Sequence, residues 1–145
     1  NTYVEEIKSN KNGNGNKKQL LWDACKKISK SRDEVIFLGT GNETRDFIHI
    51  SDVLNLFDSI IRRNDKFLVI NGGTGIKFTV RSVVEMLKDI INTNIRISFN
   101  NQVNQGNPLY YWADMNKLIT YDFIAKKKLN EELKSYVEWV KSLDD

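Results

Sequence analysis

The sequence predicts an α/β fold, a small mixed sheet with helices packed on it, and three observations carry that expectation. Apolar residues recur at helical spacing in several segments, and short apolar runs of strand length alternate with them. Two of those runs empty into glycine turns, Gly39-Thr40-Gly41 and Asn71-Gly72-Gly73-Thr74-Gly75. The 145 residues suffice for one domain with its own core, and 40% hydrophobic with 28% charged residues is an ordinary globular composition.

Residues 1–16 are polar and rich in Asn, Gly and Lys, which predicts a mobile segment ahead of a domain over 17–145. From Lys17 the pattern turns helical, with Leu20, Leu21, Ala24, Cys25 and Ile28 on one face. Lys18, Lys26, Lys27 and Lys30 lie around the other side and read as a solvated face rather than a nucleic-acid surface. A buried strand is expected over Val35 to Leu38. Beyond its glycine turn, Phe47 and His49 alternate with Ile48 and Ile50, and a helix is expected to start at Ser51 or Asp52 and end near Arg62.

Phe67 to Ile70 is apolar on both faces, which predicts a strand covered on both sides, as in a parallel sheet. A third helix, capped by Thr79, buries Val83, Val84, Leu87, Ile90 and Ile91. Ile95 to Phe99 alternates as a strand, and a polar loop, Asn100 to Asn107, closes on Pro108. The aromatic block Leu109-Tyr110-Tyr111-Trp112 follows, then a short helix over Asp114 to Thr120 and a final one over Leu129 to Ser142.

The chemistry is bounded by what is scarce. One histidine and one cysteine exclude a zinc site of the usual kind and an internal disulfide. Cys25 falls in an apolar helical stripe and reads as core, and His49 as a locally bonded ring. The net charge of +3 is small, and no apolar run reaches membrane-spanning length, so a cytoplasmic location without membrane contact is expected. Arg45 presents a planar fork suited to phosphate, and Asp46 beside it is expected to orient or neutralise it. A bland surface Arg-Asp pair stays open on these residues alone. The turn at 71–75 is a poor dinucleotide loop, because Phe78 stands where a third glycine belongs.

Taken together, Gly39-x-Gly41, the run Arg45-Asp46-Phe47-Ile48-His49-Ile50-x-Asp52-Val53, Asn71-x-Gly73-x-Gly75, and Tyr111-Trp112-Ala113-Asp114 with Lys117 resemble the C-terminal half of the extended short-chain dehydrogenases/reductases. The aromatic block is most similar to UDP-glucose 4-epimerases, and Asn1-x-Tyr3 looks like the Asn-x-Tyr-Gly segment after the family's last catalytic helix. Nearly the whole chain is covered by the resemblance. It implies the substrate-binding portion of an NAD-dependent nucleotide-sugar epimerase or dehydratase. Neither the dinucleotide loop nor Tyr-x-x-x-Lys occurs in these residues, so the resemblance implies a piece that is not catalytic alone, binds no NAD alone, and relies on a missing N-terminal Rossmann half, with a homodimer also allowed.

The resemblance further implies roles for single residues. Arg45 would meet the diphosphate, and Gln19 would match an Asn that also touches it. Leu20 with Ile36 to Leu38 would form the wall beside the nucleobase, Tyr111 would stand beside the sugar, and Asn1 near the sugar and nicotinamide end. Asn104 occupies the place of a second phosphate-gripping Arg, Asn107 that of a ribose-binding Asp, and Val4 that of a Gly. The alternatives are a non-catalytic binding or regulatory module that retains the fold and, more weakly, a basic RNA-contacting domain.

Overall fold

A computed structural model describes residues 19–63, 67–102 and 108–143. Three helices build its main core. Helix α1 (Leu20–Lys30) buries Leu21, Ala24, Cys25 and Ile28, the i, i+3, i+4, i+7 stripe that one helical face requires. It ends where Ser31 turns extended, and Asp23 pairs with Lys27 one turn on at 2.7 Å.

Strand β1 (Glu34–Phe37) turns Val35 and Phe37 into that core, and the chain then makes the short ribbon strand β2 (Thr44–Arg45). Helix α2 (Ile50–Ile61) follows, then β3 (Phe78–Thr79), which leads straight into helix α3 (Val80–Ile91). Thr79 caps α3, its hydroxyl accepting from the Ser82 amide at 3.0 Å, and Val80, Val83, Val84 and Leu87 are buried. Strand β4 (Arg96–Phe99), the short helix α4 (Asn116–Ile119) and helix α5 (Leu129–Ser142) complete the order. Leu129, Leu133, Val137 and Val140 of α5 close the core against α1 and α3.

The strands form two pairs. β1 runs parallel to β4, with Val35 opposite Ile97 and Phe37 opposite Phe99. β2 runs antiparallel to β3, with Thr44 opposite Thr79 and Arg45 opposite Phe78. This is the small mixed set of strands with packed helices that the sequence predicts. A second cluster, Ile48, Leu56, Leu118 and Phe123, lies between α2 and α4.

Several expectations are corrected. Strand β1 is buried on one face only, because helices cover one side of the parallel pair; Ile36 and Leu38 are 60% and 67% exposed. Phe67 to Ile70 is no strand. No strand among the described residues pairs with it, and although Ile70 packs against the cluster of Ile48 and Leu56, Phe67 is 86% exposed. Helix α2 starts one residue earlier than expected, since His49 itself caps it: Nδ1 accepts from the Ser51 amide at 3.2 Å. Phe47 to Ile50 accordingly leads into a helix rather than running as a strand. The polar segment 1–16 lies outside the described residues. No helix among those described is long and apolar enough to cross a membrane, and none of their His, Cys, Asp and Glu side chains cluster to hold a metal.

Candidate functional site

The ribbon at β2 places the predicted arginine. On one side Thr44 pairs with Thr79, and on the other it bridges Tyr110 in parallel. The Thr44 amide donates to the Leu109 carbonyl at 2.8 Å, and the Tyr111 amide donates to the Thr44 carbonyl at 3.2 Å. Successive residues of extended chain point to opposite faces, so this register sets Arg45 and Tyr111 on one face, with Thr44 and Tyr110 on the other. Trp112, two residues beyond Tyr110, returns to that second face. Its ring meets Tyr110 edge-on at 6.5 Å, and the Lys77 ammonium lies 3.7 Å from its centroid.

Arg45 is half-buried. Its Nη1 donates to the Thr44 carbonyl at 2.7 Å and to the Pro108 carbonyl at 2.9 Å, which fixes the base of the guanidinium. Among the described residues Nε and Nη2 make no hydrogen bond. Tyr111, 62% exposed, stands on the same face.

Asp46 does not pair with Arg45, contrary to the sequence expectation. Alternation turns neighbouring side chains apart, and the carboxylate goes to the opposite face. There it accepts from the Thr74 amide at 3.0 and 3.1 Å, the Gly75 amide at 2.8 Å, the Ala113 amide at 3.2 Å, and the Thr74 hydroxyl. Asp52, 1% exposed, plays a similar part beneath α2 by accepting from the Lys126 and Lys127 amides at 3.1 and 2.9 Å. Lys117 donates to the Val69 carbonyl at 2.5 Å and ties the aromatic block to the 67–70 segment.

The loop between β1 and β2 is held from within. Gly39 and Gly41 take φ of +97° and +82°, a region that costs a side chain energy, and a Cβ on Gly41 would lie 2.9 Å from the Phe99 ring. The buried Glu43 carboxylate accepts from the Thr40 and Gly41 amides, each at 2.9 Å. Burial pushes its pKa up, yet those bonds, joined by the Thr40 hydroxyl, together hold it below the ordinary carboxylate value. The amides of both glycine turns are thus engaged by Glu43 and Asp46. Neither turn fits the pyrophosphate of a dinucleotide, so no redox step is assigned to these residues.

The other predicted site residues are dispersed. Gln19, exposed at the start of α1, uses no side-chain bond to cap the helix, and Leu20 is half-buried against the core. Ile36 belongs to the β1–β4 pair and Leu38 directly follows it, so neither is on the ribbon that carries Arg45 and Tyr111. Asn1 and Asn104, with Asn107 and Val4, lie outside the described residues. Cavities of about 390 and 380 Å³ are lined elsewhere, the first by His49, Leu133, Tyr136 and Trp139 among others, the second by Ile48, Val53, Leu56 and Ile70 among others. Asp46 and Asp52 escaped the sequence reading because their partners are remote: Lys126 is 74 residues from Asp52, and Ala113 is 67 from Asp46.

The fold has counterparts among solved structures. A UDP-N-acetylglucosamine 4-epimerase from Methanobrevibacter ruminantium M1, solved with UDP-N-acetylmuramic acid, superposes with a TM-score of 0.74 at 21% identity, over 90% of this chain and 41% of that one. A UDP-glucose 4-epimerase from Thermotoga maritima, solved with UDP-glucose, gives 0.71 at 23% identity over 87% and 39%. The fold is that of the C-terminal portion of extended short-chain dehydrogenases/reductases.

The sequence model of the NAD dependent epimerase/dehydratase family matches residues 4–73. Over that stretch, just under half of its length, the chain is similar to that family. A putative UDP-glucose 4-epimerase from Methanocaldococcus jannaschii is 27% identical over 116 residues, 80% of this chain and 37% of the relative. A putative GDP-L-fucose synthase 2 from Arabidopsis thaliana is 23% identical over 111 residues, 77% and 34%. The chain spans about a third of the length of these curated relatives.

Proposed function

We propose that these residues form the nucleotide-sugar-binding portion of an NAD-dependent sugar-nucleotide epimerase or dehydratase, with the dinucleotide and the catalytic tyrosine supplied by an N-terminal Rossmann half outside the 145 residues. One observation carries the reading: the Thr44–Tyr110 bridge sets Arg45 and Tyr111 on a common face, and Nη1 is the guanidinium nitrogen bonded among the described residues. A fork whose base is fixed on two carbonyls loses little freedom when it takes a second, anionic partner. An aromatic hydroxyl beside it suits a sugar.

In the family such a half would fix the nucleotide by binding energy remote from the reacting carbon. Relatives acting on both UDP- and GDP-sugars appear among the matches, so the base is decided by experiment. Calorimetric titration with UDP, GDP, CDP and dTDP is expected to find one that binds. Arg45→Ala is expected to weaken that binding about 10- to 100-fold, the loss of one charge-assisted contact. Undiminished affinity in Arg45→Ala would remove the assignment. A folded chain that binds none of the four would favour the non-catalytic module.

A further inference from the structure

We propose that Asp46 is a positioning residue that sets the separation of Arg45 and Tyr111, an inference that rests on the binding reading of those two residues. Asp46 cannot act by touching a ligand held on their face, because alternation sends its carboxylate to the other side of the ribbon. It acts through the strands. The two strands are joined around Thr44, whose amide and carbonyl bond Leu109 and Tyr111, and by Arg45 Nη1 on the Pro108 carbonyl, all on the near side of Ala113. Beyond Tyr111 the two strands would be free to splay. The Ala113 amide closes that end by donating to Asp46 Oδ2 at 3.2 Å, and the same oxygen takes the Gly75 amide at 2.8 Å.

Four donors face the carboxylate, the Thr74 amide and hydroxyl and the Gly75 and Ala113 amides, and the last two share Oδ2, so an alanine at 46 would leave both without their acceptor. The junction is also sterically closed. A Cβ on Gly73 would fall 2.4 Å from the Ala113 Cβ and 2.7 Å from Asp46 Oδ2. Asp46 thereby locks the 71–75 turn, the ribbon and the aromatic block into one body, with Arg45 and Tyr111 as two points on it.

Amide exchange in the full 145-residue chain, read residue by residue, tests this. In Asp46→Ala the Ala113 and Gly75 amides are expected to exchange at least about tenfold faster, while Val84 and Val137 in the helical core keep their rates. Gly73→Ala, which forces the same junction apart with the acid intact, is expected to speed Ala113 likewise. Thr74→Val, which removes only the hydroxyl bond, should fall between. Unchanged exchange at Ala113 in Asp46→Ala, or equal acceleration at Val84 and Val137, would overturn the proposal.

A second arm uses UDP and GDP as probes. Asp46→Ala is expected to lower affinity about tenfold on the Arg45 background and to add nothing once Arg45→Ala is present. Fully additive losses would show that the acid acts independently of the arginine. If neither nucleotide binds the unsubstituted chain, the binding reading falls, and the exchange rates alone decide whether Asp46 holds the junction.

Discussion

Removal of the Asp52 carboxylate tests how the two ends of the chain are joined. Asp52 is buried in the first turn of α2, and one oxygen, Oδ2, accepts from the Lys126 and Lys127 amides just ahead of α5. Asp52→Ala leaves both amides without their acceptor, at about 1–3 kcal/mol for each one that water cannot reach. It also deletes a favourable charge near the helix N-terminus, worth about 0.3–1 kcal/mol. Because the neighbouring lysines are exposed, water can reach part of this backbone, and a total near 3 kcal/mol is expected. For a chain of this size that lowers Tm by roughly 6–12 °C. Asp52→Asn separates the two contributions. Its carbonyl oxygen can occupy the Oδ2 position and accept both bonds, so only about 1 kcal/mol should be lost with the charge. Urea unfolding followed by circular dichroism measures both variants. A loss below 1 kcal/mol in Asp52→Ala, or equal losses in the two, would refute the idea that this acid clamps α2 to the start of α5.

Other outcomes follow from the same geometry. Gly41→Ala should cost about 2–4 kcal/mol, combining a left-handed backbone with overpacking against the Phe99 ring, and be visible as a lowered urea midpoint. The depressed pKa of Glu43 means that its contribution is present above the unfolded carboxylate value and is lost as pH falls through the folded one. Stability measured between about pH 6 and pH 3 should therefore decline more steeply in the unsubstituted chain than in Glu43→Gln. Burial pushes the Cys25 thiol up to about 12, against the opposing influence of Lys26 and Lys141, so it should react with a disulfide reagent only as fast as the chain unfolds.

The helices were legible in the sequence because their determinants are local. The stripe Leu21, Ala24, Cys25, Ile28 in α1, the Thr79 cap of α3, and the span Leu129–Ser142 of α5 each depend on residues within one or two turns. The order of motifs was equally legible, and it carried the resemblance to the epimerase/dehydratase family. Phe67 to Ile70 shows where local reading fails. Its composition reports a capacity to be covered, and no pattern within four residues can say whether a neighbour is there to cover it.

The sequence by itself determined the helices, the glycine turns and the presence of one guanidinium between two ordered segments. Tertiary structure decided the pairing of the acids. Asp46 stands next to Arg45 in the chain yet bonds Thr74, Gly75 and Ala113, and Asp52 bonds amides 74 and 75 residues away. The physical reason is that a carboxylate goes wherever otherwise unsatisfied backbone donors converge, and that convergence exists only once separate segments have been brought to one place.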